Sequence, residues 1–141
     1  MRGGLHCHID RHPADVFEFL ADLRNERKWN PRVVEIQKTS PGPIRAGATF
    51  RGTYKGPGVL ETELLDHDPP HRLSFRSRGP RMTIEGAFRL RPRGSGTDVD
   101  LDAVFRPHGP FRALTPVMAV VMKRQNEAAG RRLVKALAQR G

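Results

Sequence analysis

Apolar and polar residues exchange places along this chain with two different periods, and the order in which those periods appear predicts the architecture. Leu5, Cys7 and Ile9 alternate with His6, His8 and Asp10, the period of two expected of a strand buried on one face. Val16, Phe17, Leu20 and Leu23 then recur at helical spacing behind Pro13, a residue suited to a first helical turn because it lacks an N–H that would be unpaired there anyway. Asn25 is placed to cap a second, very short helix that runs to Trp29 and is stopped by Pro31. Alternation returns afterwards and predicts six strands: Val33 to Lys38, Ala48 to Lys55, Val59 to Asp66, Arg72 to Ser77, Arg81 to Arg91 and Thr97 to Arg106. The breaks between them carry turn chemistry, namely Gly56-Pro-Gly58, Asp68-Pro-Pro70, Gly79-Pro80 and Gly94-Ser-Gly96.

Such a meander can be registered. If Lys55 and Val59 flank a three-residue turn, Phe50 faces Leu64, Tyr54 faces Leu60, and Arg51 meets Glu63 on the other side. The same logic sets Leu64 against Phe75, Glu63 against Arg76, Phe75 against Ile84, Phe88 against Leu101, and Gly86 against Ala103. It also bears on "DVDLDAVF" from Asp98 to Phe105, whose three aspartates resemble a cation loop. A calcium loop needs glycine at position 6 and a bidentate Glu at position 12; here those positions hold Ala103 and Gly109. The aspartates instead read as the wet face of a strand, with Asp98 and Asp100 opposite Arg91 and Arg89.

The last segment has a helical period. Thr115 is placed to cap a helix beginning at Pro116 and continuing through Val117, Met118, Val121, Met122, Gln125, Ala128, Leu133 and Leu137. Its dense Val117 to Met122 portion is expected to be buried on several sides, and Gly130 to mark close packing or a bend. The order is therefore strand, two short helices, six antiparallel strands and a long helix, an α+β arrangement.

Composition narrows the picture. A chain of 141 residues fits one domain spanning residues 1–141 with a single core and room for a small cavity. The longest apolar run, Val117 to Met122, is too short to cross a bilayer, and the first residues lack the apolar segment of a secretory signal. One cysteine allows no internal disulfide, so a reducing cytoplasm is the expected compartment. The net charge of +10 is spread over the whole chain without a dense basic run or interleaved aromatics, so no specific nucleic-acid partner is expected. Lys123, Arg124, Arg131, Arg132 and Lys135 do offer the last helix a weak contact with an anionic membrane surface.

The stretch "PADVFEFLADLRNERKWNPRVVEI" from Pro13 to Ile36, followed by Gly42-Pro-Ile-Arg-Ala-Gly-Ala-Thr-Phe50, resembles the polyketide cyclase/dehydrase branch of the START-related SRPBCC superfamily. The resemblance covers nearly the whole chain and rests on the order of its parts: the Pro-x-x-Val-Phe-x-Phe-Leu-x-Asp opening, Trp29-Asn-Pro31, and Gly47 before a strand. It implies a helix-grip fold, a curved seven-stranded antiparallel sheet wrapped around the C-terminal helix with a ligand cavity between. Members include cyclases, carriers of hydrophobic ligands and receptors, so the fold alone does not choose an activity.

Placed in that frame, the inward-facing positions become a pocket wall: Phe50, Tyr54, Leu60, Thr62, Leu64, Phe75, Ser77, Ile84, Gly86, Phe88, Leu101, Ala103 and Phe105 from the sheet, with Met118, Val121, Met122 and Gln125 from the helix. A lining this apolar suits a hydrophobic small molecule, lipid or polyketide-like, held by a carrier or sensor. The alternative is a cyclase or dehydratase that works mainly by positioning its substrate. Tyr54 would then donate to a carbonyl, and Thr62, Ser77 and Gln125 would orient the ligand. No inward carboxylate or histidine is evident to act as base. His6, His8 and His12 are weighed as metal ligands and set aside as surface residues, Cys7 reads as a small hydrophobe, Trp29 is placed either at the cavity mouth or packed beneath the short helix, and His108 at the rim. No metal and no cofactor is expected, since neither a phosphate loop nor a dinucleotide fingerprint occurs.

Overall fold

The computed structural model describes residues 1–139. Its seven strands form one antiparallel sheet in the order β1-β7-β6-β5-β4-β3-β2. They are β1 (Arg2–Ile9), β2 (Val33–Lys38), β3 (Thr49–Tyr54), β4 (Gly58–Asp68), β5 (Arg72–Arg78), β6 (Met82–Arg93) and β7 (Gly96–Pro107). Between β1 and β2 lie α1 (Pro13–Ala21) and a 3-10 helix, α2 (Leu23–Lys28). A second 3-10 helix, α3 (Gly109–Leu114), leads into the long helix α4 (Thr115–Ala138). This is the expected architecture, a curled sheet gripping a C-terminal helix, with α3 as an addition.

Local sequence explains most element ends. The His12 ring accepts from the Ala14 N–H at the start of α1, and Pro13 occupies its first turn. Asp22, not Asn25, caps α2 by accepting from the Arg24 N–H at 3.1 Å; Asn25 instead donates to the Phe19 carbonyl. Thr115 does not cap α4: its hydroxyl donates back to the Arg112 carbonyl at 2.7 Å, inside the turn that joins α3 to α4.

The hairpin register corrects two expectations. Gly56 and Gly58 both take positive φ, and the three-residue β3–β4 turn falls at Lys55–Pro57, one residue earlier than expected. Phe50 therefore opposes Thr62 and Tyr54 opposes Gly58, while Arg51 meets Glu61 at 3.5 Å instead of Glu63. Phe75 opposes Gly86, not Ile84, which pairs with Ser77. A Cβ on Gly86 would lie 2.8 Å from the Phe75 ring, so the ring occupies the space that glycine leaves. Leu64 with Phe75, Glu63 with Arg76, Phe88 with Leu101 and Gly86 with Ala103 pair as expected.

Arg89 and Arg91 do stand opposite Asp100 and Asp98, but the carboxylates turn the other way. Strand β1 pairs with β7 so that His6 faces Asp100 and His8 faces Asp98. Their Nδ1 atoms lie 2.6 and 2.7 Å from the carboxylates, and Arg93 adds a contact to Asp98 at 3.4 Å. The His8 hydrogen bond holds the Asp98 carboxyl below its ordinary range, helped by the charge of Arg93. Two of the three histidines set aside as metal ligands, His6 and His8, thus have carboxylate partners on the outer face.

The inner face divides into two halves. At one end α1 and the last turns of α4 fill the concavity, with Ile9, Val16, Phe19, Leu64, Val99 and Leu133 all at 1% exposure or less. Burial on this scale contributes roughly 1.5–3 kcal/mol per large side chain. At the other end the packing is thin: Met82, Ala103, Phe105 and Met122 form a small separate cluster. Here the expectation for α4 fails, because Val117, Val120 and Val121 are 64, 60 and 45% exposed. Gly130 is not required for close packing either, since an added Cβ would meet nothing within 4 Å.

Candidate functional site

The thinly packed half encloses a cavity of about 400 Å³ between the sheet, α2 and α4. Every residue assigned to the lining from sequence borders it except Phe50, Leu64 and Gly86. Phe50 is 1% exposed and belongs to the filled half, packed with Ala48 and Leu64. The sheet curves, so inward parity alone does not say which half a residue enters. Trp29 is a wall rather than a rim residue: it is buried and meets Phe88 edge to face at 6.3 Å. His108 hydrogen bonds to Thr83 outside the cavity. Cys7 packs against the core, and burial pushes its thiol up to about 11.

The polar residues expected to orient a ligand are already engaged. Thr62 and Ser77 are cross-strand partners whose hydroxyls lie 2.6 Å apart and satisfy each other. The Tyr54 ring lies over Gly52, where any Cβ would approach it to 2.6 Å, and its hydroxyl donates to Glu26 Oε1 at 3.2 Å.

Glu26 was not anticipated, and it changes the chemistry of the site. The inward carboxylate thought to be missing comes from α2. In a 3-10 helix residues three apart eclipse one another, so Leu23, Glu26 and the following Trp29 all reach the same side and border the cavity. The second Glu26 oxygen accepts from Asn30 Nδ2 at 2.6 Å. Asn30 Oδ1 in turn accepts from the Arg32 backbone N–H and Nε at 3.1 and 3.3 Å, and Arg32 Nη2 donates to Asn126 Oδ1 on α4 at 3.2 Å. The chain Tyr54–Glu26–Asn30–Arg32–Asn126 ties β3, α2, the segment between α2 and β2, and α4 together along the cavity wall.

Burial dominates the electrostatics of this chain. It raises the Glu26 carboxyl above its ordinary 4.5, opposed by hydrogen bonds from Asn30 and Tyr54 and by the charge of Arg32. It lowers the Arg32 guanidinium against the pull of Glu26. The Tyr54 phenol is pushed well above its usual value by burial and then by the Glu26 charge, so it is a donor throughout the physiological range. Arg32 makes its side-chain hydrogen bonds to two amide oxygens rather than to a carboxylate. The site thus pairs a proton acceptor of raised pKa with a cationic donor inside an otherwise apolar enclosure, an arrangement suited to general acid–base work.

A curled seven-stranded sheet closed by a C-terminal helix over an apolar cavity defines a START-like ligand-cavity protein. A family model described as polyketide cyclase / dehydrase and lipid transport matches residues 6–138, and the chain belongs to that family. Solved structures agree on the fold. A protein from Thermus thermophilus superposes with a TM-score of 0.79 at 19% identity, covering 98% of this chain and 97% of that one. A START superfamily protein from Mycobacterium smegmatis gives 0.77 at 12% identity, with 98 and 97% covered. An aromatase/cyclase from Streptomyces gives 0.75 at 18% identity, with 99 and 94% covered. An uncharacterized protein of Mycobacterium tuberculosis is 32% identical over 76 residues, which is 54% of this chain and 46% of that protein. The matched region thus spans about half the length of that curated relative.

Among the described residues no helix is long and apolar enough to cross a membrane.

Proposed function

We propose that this protein binds a hydrophobic small molecule, lipid or polyketide-like, in the cavity between sheet and helix, and serves as its carrier or sensor in the cytoplasm. The observation that carries the reading is the cavity itself. About 400 Å³ lies within the range of small-molecule sites, and the hydroxyl pair and the Glu26 chain satisfy one another internally. The ligand therefore needs to supply apolar surface and few hydrogen bonds. Native mass spectrometry of freshly purified protein, followed by denaturing extraction, tests this. A stoichiometric apolar adduct is expected. A bare mass, together with no saturable uptake of an apolar fluorescent probe, would overturn the reading.

A second reading, cyclase- or dehydratase-type chemistry, is favoured by one specific observation: the half-buried Glu26 beside Tyr54 and Arg32. In it Glu26 takes a proton from carbon next to a carbonyl, and Arg32 donates to the oxygen on which charge develops. Tyr54 keeps Glu26 oriented. The two readings separate on the extracted compound, which a carrier returns unchanged and an enzyme returns altered by loss of water. Glu26→Gln should then stop conversion while the compound still binds; conversion at the wild-type rate would remove Glu26 as base.

A further inference from the structure

The residues at the open end of the cavity have a second face. Leu114, Val117 and Val121 border the cavity and are also 50, 64 and 45% exposed. Val120, 60% exposed, extends the same patch along α4. Positions 117, 120, 121 and 124 share one helical face, so the stripe ends on the cation of Arg124. Among the described residues, four of the six exposed large hydrophobics, the others being Val34 and Leu65, thus gather at the doorway of an apolar cavity.

The charge around this doorway has one sign. Lys55 and Arg81 stand on the hairpin turns that border it, Arg112 lies between Phe111 and Leu114, and no carboxylate occurs from Ala103 to Asn126. Arg81 also binds the turns together: it donates to the Gly56 carbonyl at 2.9 Å and stacks over Phe111 at 5.6 Å. On the outer sheet face arginines 51, 72, 76, 93 and 106 all sit within 3.5 Å of carboxylates. Lys55, Arg81, Arg112 and Arg124 form no such ion pair among the described residues. A cationic ring around exposed apolar residues complements a surface that is anionic outside and apolar beneath. It disfavours a second copy of the chain, which would bring the same cations together.

We propose that the doorway formed by Leu114, Val117, Val120 and Val121 docks on an anionic lipid bilayer, with Lys55, Arg81, Arg112 and Arg124 against its headgroups. A docked doorway gives the cavity's occupant an apolar path to the acyl region without crossing water. This rests on reading the cavity as a hydrophobic-ligand site. It also differs from a contact along the basic residues of the later helix, because Arg131 lies roughly 21 Å along α4 from Val117 at 1.5 Å per residue.

Sedimentation with phosphatidylcholine vesicles and with equimolar phosphatidylcholine–phosphatidylglycerol vesicles tests the proposal, with light scattering to follow oligomeric state. Binding to the anionic vesicles alone is expected at low salt. It should weaken in about 1 M salt, where the Debye length falls to about 3 Å, and by roughly fivefold in Arg124→Gln. Val120→Asp, at a position outside the cavity lining, should abolish it. Absence of binding at low salt overturns the proposal. So does binding that Val120→Asp leaves intact, which would be adsorption by charge alone, and so does a dimer that Val120→Asp dissociates. Native mass spectrometry of Val120→Asp separates this failure from that of the ligand reading: an occupied cavity without vesicle binding removes the docking face only, and an empty cavity in both proteins removes the cargo.

Discussion

Replacing Tyr54 by Phe removes one hydrogen bond at almost constant volume, and the structure sets how the cost should depend on pH. The bond runs 3.2 Å to Glu26 Oε1, a long contact that places it at the lower end of its class. Hydrogen bonds to an ionised partner contribute about 1.5–3 kcal/mol, and those between neutral groups about 0.5–1.5 kcal/mol. Burial raises Glu26 above 4.5 in the native state, so between 4.5 and that raised value the native protein holds more protons than the unfolded chain. Wild-type stability therefore falls as pH rises through this window. Removing the Tyr54 O–H takes a partner from the ionised form, moves the native pKa further up, and extends the fall to higher pH. Tyr54→Phe should lose about 0.5 kcal/mol near pH 4, where Glu26 is protonated, and about 1.5 kcal/mol at a pH above the raised Glu26 pKa, where it is ionised. The phenol stays neutral at both. Urea midpoints with unchanged m-values provide the assay. A loss of equal size at both pH values would refute the argument, because Tyr54 would then not be donating to a group that changes its charge.

Three further outcomes can be checked. Gly130→Ala should stabilise the protein by up to about 1 kcal/mol, since helix propensity favours alanine and the added methyl meets nothing within 4 Å; a lowered thermal midpoint would contradict this. Ala103→Leu, opposite Gly86 in the cavity wall, should weaken binding of an apolar probe by more than about tenfold, the equivalent of about 1.4 kcal/mol, with the fold retained by circular dichroism. Unchanged probe affinity would place the ligand elsewhere. Asp98→Asn should flatten the acid limb of the stability curve. The depressed Asp98 carboxyl contributes stability that is present above its unfolded pKa and lost as pH falls through its native one. The variant should therefore be the less stable at neutral pH and match wild type in strong acid, and parallel curves would exclude the His8 pairing as the cause.

The meander from β2 to β7 was legible because alternation and turn residues repeat a local rule. The β3–β4 register erred by two residues in the pairing, and an even error leaves every side chain on its expected face. That is why Tyr54, Thr62 and Leu60 still border the cavity. Phe50 went astray for another reason, since curvature divides the inner face along the strand and parity does not report curvature. Glu26 was hidden by the choice of period. Read at 3.6 residues per turn behind an Asn25 cap, it starts an exposed helix; read at 3.0, it stacks between Leu23 and Trp29, and that spacing was the available signal. The pairing of Asp98 and Asp100 with His8 and His6 depends on a contact across some ninety residues, which no local pattern encodes. The valines of α4 show that apolar density marks burial only where something lies above it.

The sheet order has a consequence in time. Each neighbouring pair from β2 to β7 is joined by a hairpin or a short loop, but β1 finds its partner only when Ile9 meets Thr97. Closing so long a loop costs only about 0.6 kcal/mol more per doubling of its length, so the arrangement weighs on kinetics more than on stability. At about 5–20 residues per second, the ribosome leaves the first strand waiting several seconds for the seventh, and the helix that packs on β1 is made later still. For that interval Leu5, Cys7 and Ile9 form an apolar face without its sheet. The nascent chain is most in need of a chaperone at β1, made long before its partner β7.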